Sequence, residues 1–152
     1  MSWLSTEELI DKIKRNADGA TLATFHGVFP IDELPFAVPH YPFFMIVNTQ
    51  AHNLPGEHWI TIFIDADRRG DIFDSLALPL SNILIRWMNR FTRSFTRNRL
   101  TYQHLFSSSC GAFTLYFILH RLHNSDCMTE AFTTDLTINE QLIQHFYAIE
   151  LI

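Results

Sequence analysis

The run CGAFTLYFILHRLH, from Cys110 to His123, is apolar on nearly every side of a helical projection. A helix without a polar face cannot lie on a surface; it has to be buried all round. The spacing therefore predicts a central helix, and the rest of the chain must supply its walls. FFMIV (Phe43 to Val47) is a short unbroken apolar run and reads as a strand covered on both faces. HWITIFID (His58 to Asp65) follows a Pro55-Gly56 turn and is rich in β-branched and aromatic residues, so it reads as a second strand. DRRG (Asp67 to Gly70) then reads as a hairpin turn and DIFDSL (Asp71 to Leu76) as the return strand, which makes a small antiparallel sheet.

Helical signals flank these strands. Ser5 and Glu8 have the spacing of a capping box, with Leu4 and Leu9 at the staple positions. Leu9, Ile10 and Ile13 continue one apolar side, and Asp18-Gly19 is expected to end the helix. GVFPIDELPFAVPHYP holds four of the six prolines and reads as an extended connection. From Leu80 the period turns helical: Leu80, Ile83, Leu84, Trp87 and Phe91 share one side, while Arg86, Arg90, Arg93 and Arg97 line another. A short strand is expected around Leu100 to Tyr102. Thr137 and Glu140 read as a second capping box, ahead of a stripe of Ile138, Leu142, Phe146 and Ile149. With 152 residues and no repeat or linker, this predicts one α+β domain over residues 1–152: a small mixed or antiparallel sheet packed on the central helix, with further helices at its flanks.

Bulk properties narrow the function. A net charge of −5 argues against a protein that binds nucleic acid with its whole surface. Neither a basic-then-apolar leader nor an apolar run of the ~20 residues a membrane helix needs is present. Two cysteines, Cys110 and Cys127, make no disulfide framework, so a reducing intracellular compartment is expected. His120, His123 and Cys127 lie close in sequence, but no fourth ligand has suitable spacing, and polar residues at a helix end are expected there rather than a metal.

Chemistry is most concentrated at Cys110. Three serines precede it and offer a helix cap, so the cysteine stands at a helix start, where N–H groups and the macrodipole favour negative charge on sulfur. Gly111 lets a substrate backbone or another chain segment approach closely. His58 opens a strand, where a side chain faces a cleft more easily than in mid-strand. Asp74, on the partner strand, could accept the imidazole N–H. Each has a plain alternative. Cys110 could be a buried core residue, Asp74 a solvated hairpin carboxylate, and a register slip would exchange it for Asp65, Asp67 or Asp71.

The order HW (His58-Trp59), FDS (Phe73 to Ser75), then Q-x6-CG (Gln103 to Gly111) resembles the adenovirus protease (adenain) family, the related proteases of Polinton-type elements and, more distantly, the SUMO-specific proteases. GVFPIDELP, IVNT and NEQLIQHFY extend the resemblance over most of the chain. It implies a cysteine endopeptidase of viral or transposon origin that processes capsid or virion precursors at glycine-containing sites. Cys110 would be the nucleophile, His58 the base and Asp74 its orienting acid; adenain has glutamate there and the SUMO proteases aspartate. Gln103 would donate to the oxyanion, and Trp59 would wall a narrow substrate channel near Gly111. An isopeptidase acting on a ubiquitin-like modifier would need the same channel. No cofactor is implied, but adenain-like enzymes are stimulated by DNA and by an activating peptide. Arg86, Arg90, Arg93, Arg97 and Arg99 are the candidates for a DNA contact, which would retain catalysis or, in a third reading, replace it. The adenain peptide is held by a cysteine ahead of the glutamine, and RSFTRNRLTYQ (Arg93 to Gln103) contains none. The resemblance places the protein in the host nucleus or cytoplasm and in the virion.

Overall fold

The computed structural model describes residues 3–50, 58–121 and 131–152. Its centre is helix α4 (Cys110–Arg121), whose residues are buried from Cys110 to Ile118. One side of α4 packs on a five-stranded sheet, and the other is covered by α1 (Thr6–Asn16) and α5 (Leu136–His145). The walls that the apolar helix requires are therefore a sheet and two helices.

The sheet runs in sequence order: β1 (Phe25–Pro30), β2 (Phe43–Asn48), β3 (Trp59–Ile64), β4 (Arg69–Phe73) and β5 (Ser94–Arg97). β2, β3 and β4 are antiparallel neighbours, whereas β1 joins β2 and β5 joins β4 in parallel. Alternation sorts the side chains. Phe44, Ile46, Trp59 and Phe73 face α4, while Phe43, Met45, Val47, Ile60, Ile62 and Ile72 build a second core under α3 (Asn82–Phe91) with Leu84, Trp87 and Met88. Both faces of the central strands are thus covered, which is why FFMIV shows no polar alternation.

Four expectations are corrected. Asp18-Gly19 does not simply end α1, because the Asp18 carboxylate accepts the Thr21 N–H and starts a further short helix, α2 (Gly19–Thr24). Part of the proline-rich stretch is strand β1, which ends at Pro30 and lies at the edge of the sheet, where a missing N–H is tolerated. The arginine row does not lie on one helix. α3 stops at Phe91, the chain turns extended at Thr92, and Arg97 belongs to β5, whose pairing with β4 outweighs the helical spacing. No strand forms at Leu100 to Tyr102; β5 takes its place earlier in the chain.

A fifth correction concerns α5. Asp135, not Thr137, caps it, accepting from the N–H groups of Thr137 and Ile138. The buried side carries Asn139, Glu140 and Ile143 and continues into Phe146, while Ile138 and Ile149 are exposed. Two polar residues occupy the inward face, and their hydrogen bonds lead to the site.

Candidate active site

His58 immediately precedes β3, and Asp74 immediately follows β4. The antiparallel pairing of these strands brings the two side chains together at one end of the sheet. His58 Nε2 lies 2.6 Å from Asp74 Oδ1, and both residues are buried. The second hydrogen-bond partner of the imidazole is the Cys110 side chain. With Nε2 engaged by the carboxylate, Nδ1 is the ring nitrogen left for the sulfur. The strand end, the loop after β4 and the start of α4 thus converge on one imidazole. Burial pushes the His58 pKa down, but the hydrogen bonds and charges of Asp74 and Cys110 outweigh it and raise the value to about 9. The imidazolium form is thereby held beside a sulfur at a helix N-terminus.

Asp74 is over-determined. Oδ1 also accepts from the Leu76 N–H at 2.9 Å, and Oδ2 from the Leu78 N–H at 3.1 Å. Ala77, between them, adopts φ of 51°, which folds both amides toward the carboxylate. Asn98 grips the aspartate backbone, accepting its N–H at 2.8 Å and donating to its carbonyl at 2.7 Å. Arg97 Nη2 stands 3.9 Å from Oδ2 while Nη1 donates to the Leu78 carbonyl. Arg97 therefore braces the acid loop instead of joining a solvent-facing row. Arg86, Arg90, Arg93 and Arg99 are exposed. A cavity of about 210 Å³ opens beside the His58–Asp74 pair, lined mainly by Ile31, Ile60, Leu78, Leu80 and Leu84.

Gln103 is 1% exposed and fixed at both ends of its amide. Its Oε1 accepts from Ser75 Oγ and its Nε2 donates to the Ser107 carbonyl at 2.9 Å. An amide NH2 has two protons, and the second meets no acceptor among the described residues. The Gln103 and Tyr102 N–H groups both bond to the Ser75 carbonyl, so the residue after Asp74 also anchors Gln103.

Trp59 and Gly111 both meet the N-terminal segment. Trp59 is 1% exposed and donates its indole N–H to the Leu4 carbonyl. A Cβ on Gly111 would lie 3.0 Å from Leu4 Cδ1. Trp59 is thus packed in the core against the N-terminal segment, and the same segment lies against Gly111. His120 Nδ1 pairs with the Tyr116 carbonyl, while His123 and Cys127, like Pro55-Gly56, lie outside the described residues. Among the described residues no cluster could hold a metal ion, and no helix is long and apolar enough to cross a membrane.

Ser75, Asn98, Asn139 and Glu140 were not singled out for the site by sequence. Ser75 carried a signal in its adjacency to Asp74; Asn98 carried none.

The fold is that of a solved African swine fever virus protease, and the sequence is similar to a cysteine protease of the same virus. The chain is 30% identical over 100 residues to a cysteine protease of African swine fever virus, an overlap of 57% of this chain and 36% of that protein. The chain thus spans about a third of the length of this curated relative. The crystal structure of the African swine fever virus protease superposes with a TM-score of 0.66 at 20% identity, covering 95% of this chain and 66% of the other. AvrA, solved with IP6 and CoA, gives 0.56 at 15% identity, covering 91% and 58%. No family model matches the sequence.

Proposed function

We propose that the chain is a cysteine endopeptidase that cuts viral or mobile-element structural precursors at glycine-containing sites. The observation that carries this reading is His58 held between Asp74 and Cys110 with Nε2 on the carboxylate. The homology to a viral cysteine protease supports it. Cys110 Sγ attacks the scissile carbonyl carbon, and the carbonyl electron pair moves onto oxygen. The Cys110 N–H and the second Gln103 side-chain N–H stabilise that oxyanion; one such donor is typically worth ~2.7–4 kcal/mol. Collapse expels the amine, which takes the proton of His58, and a water deprotonated by His58 then releases the acyl group. Asp74 keeps the ring oriented throughout. None of these steps calls for a metal ion or cofactor.

Glycine selectivity, action in the infected cell and virion, and stimulation by DNA or a peptide rest on the family resemblance. For DNA, the support is four exposed arginines, Arg86, Arg90, Arg93 and Arg99, on an acidic chain. The test is labelling by an electrophilic peptide ending in Gly-Gly, with and without DNA, beside Cys110→Ala. Labelling of Cys110 and not Cys127 is expected, with none in the variant. A folded protein left unlabelled under both conditions would overturn the protease reading. Preference for an isopeptide-linked Gly-Gly substrate over a linear one would move the function to removal of a ubiquitin-like modifier.

A further inference from the structure

Glu140 has the spacing of a capping residue but does not cap. It is 8% exposed on the inward face of α5, and its carboxylate accepts from Ser109 Oγ at 2.8 and 3.0 Å and from the His104 N–H at 3.2 Å. Among the described residues no cation pairs with it. A strut between a helix and a loop does not need a buried carboxylate, because apolar packing of the same volume does that at lower cost. What a carboxylate adds is direction: it only accepts, so every partner must point a proton at it.

That direction passes along the loop. The Ser109 hydroxyl has one proton and gives it to Glu140. The bond between the Ser107 and Ser109 hydroxyls must then be donated by Ser107. The Ser107 carbonyl in turn receives the Gln103 Nε2–H. The neighbouring Asn139 completes a bracket, donating to the Tyr102 carbonyl at 3.1 Å, so α5 holds the residues on both sides of Gln103. Ser109 also carries the peptide whose N–H belongs to Cys110. One buried carboxylate therefore stands behind both proposed oxyanion donors.

We propose that Glu140 is the positioning residue of the oxyanion site, setting the Cys110 N–H and the Gln103 amide relative to each other through Ser109 and His104. This rests on the protease reading. It touches neither substrate nor sulfur, and its effect arises because oxyanion donors act only within a narrow range of distance and angle. Displacements of ~1 Å are enough to lower a rate ~10²-fold.

The experiment compares wild type with Glu140→Gln, which keeps the shape but replaces one acceptor oxygen by a donor. On a glycine-ended amide substrate kcat should fall about 10- to 100-fold with KM within about twofold. Affinity for a peptide glycinal, whose adduct oxygen occupies the same donors, should fall in parallel. The rate of Cys110 alkylation by iodoacetamide, which needs His58 and the sulfur but no oxyanion, should stay unchanged. Ser109→Ala should reproduce this pattern, and the double variant should be no slower than the slower single one; Ser109→Ala carries the test alone if Glu140→Gln does not fold. An active wild type matched in kcat by both variants would overturn the positioning role and leave the protease reading intact. A kcat loss accompanied by an equal loss of alkylation rate would also overturn it, since that is general disruption. A wild type inactive on every glycine-ended substrate would sink the protease reading and this inference with it.

Discussion

Helices α1 and α4 both open on a serine, and the two serines use their side chains in opposite ways. Ser5 accepts the Glu8 N–H on its Oγ at 3.1 Å and the Leu9 N–H on its carbonyl at 3.0 Å, so the start of α1 is closed by its own cap. The carbonyl of Ser109 does the same backbone duty, accepting the Phe113 N–H at 3.0 Å. Its hydroxyl turns away to Glu140. A helix start leaves several N–H groups without intrahelical acceptors, and a cap satisfies one or two of them. Because its hydroxyl is engaged by Glu140, Ser109 does not cap the first turn of α4 with its side chain, and the proposed reading places the oxyanion at that turn. Under the proposed protease reading, one helix start serves stability and the other serves chemistry.

The sharpest way to break this comparison is to remove the side-chain partner of the α4 donors. Gln103→Ala should lower kcat by roughly 10²–10³ with little change in KM, because the oxyanion exists only on the way to product. Steady-state kinetics on a glycine-ended peptide amide would show it. If KM alone rose, Gln103 would be a substrate contact and the open helix start would lose its assigned use.

The next test titrates the cation that faces α4. His58 rises from 6.5 to about 9 on folding. A pKa raised in the folded state stabilises it fully below pH 6.5, and that contribution drains away as pH climbs through about 9. Thermal unfolding should therefore move to lower temperature between those values. Activity should fall on the alkaline side near pH 9, where the leaving amine loses its proton donor. Asp74→Asn should shift that alkaline limb downward, because the hydrogen bond and charge of Asp74 both act to raise the value. An unshifted limb in the variant would detach the profile from His58.

How much of this could be read in the sequence follows from where the signals were local. The all-apolar α4, the two-sided burial of FFMIV and the cap of α1 are properties of short windows, and each took its expected form. Strand β5 and the phase of α5 depend on distant partners. TRSFTR carries arginines at helical steps, yet its backbone is claimed by β4. On α5 the apolar residues suggested one inward stripe, but the inward face carries Asn139 and Glu140, which find hydrogen-bond partners at Tyr102, His104 and Ser109. Polar residues facing inward violate simple patterning, and such violations concentrate where function is built. The candidate site could be proposed from an ordered set, His58, Asp74, Gln103 and Cys110, whereas the residues that brace its loops, Asn98, Arg97 and Glu140, could not, because no short-range pattern links a residue to a loop it meets only in three dimensions.

The smallest effect, and the one that tests the comparison most directly, is at α1. Ser5→Ala should cost about 1 kcal/mol of stability, the usual worth of a serine cap, and lower Tm by a few degrees. kcat and KM should not move. This is the reverse of what Ser109→Ala should do, where turnover falls and iodoacetamide reactivity survives. The contrast is not trivially guaranteed, because the start of α1 is next to the site: Leu4 lies against Gly111, and its carbonyl takes the Trp59 indole N–H. If Ser5→Ala lowered kcat without lowering Tm, the N-terminal turn would be setting the Cys110–Gly111 segment, and the division between a stability serine and a chemistry serine would fail. If Tm alone falls, then contact with Gly111 is packing, and the side chain of the residue before Cys110 is what separates the two helix starts.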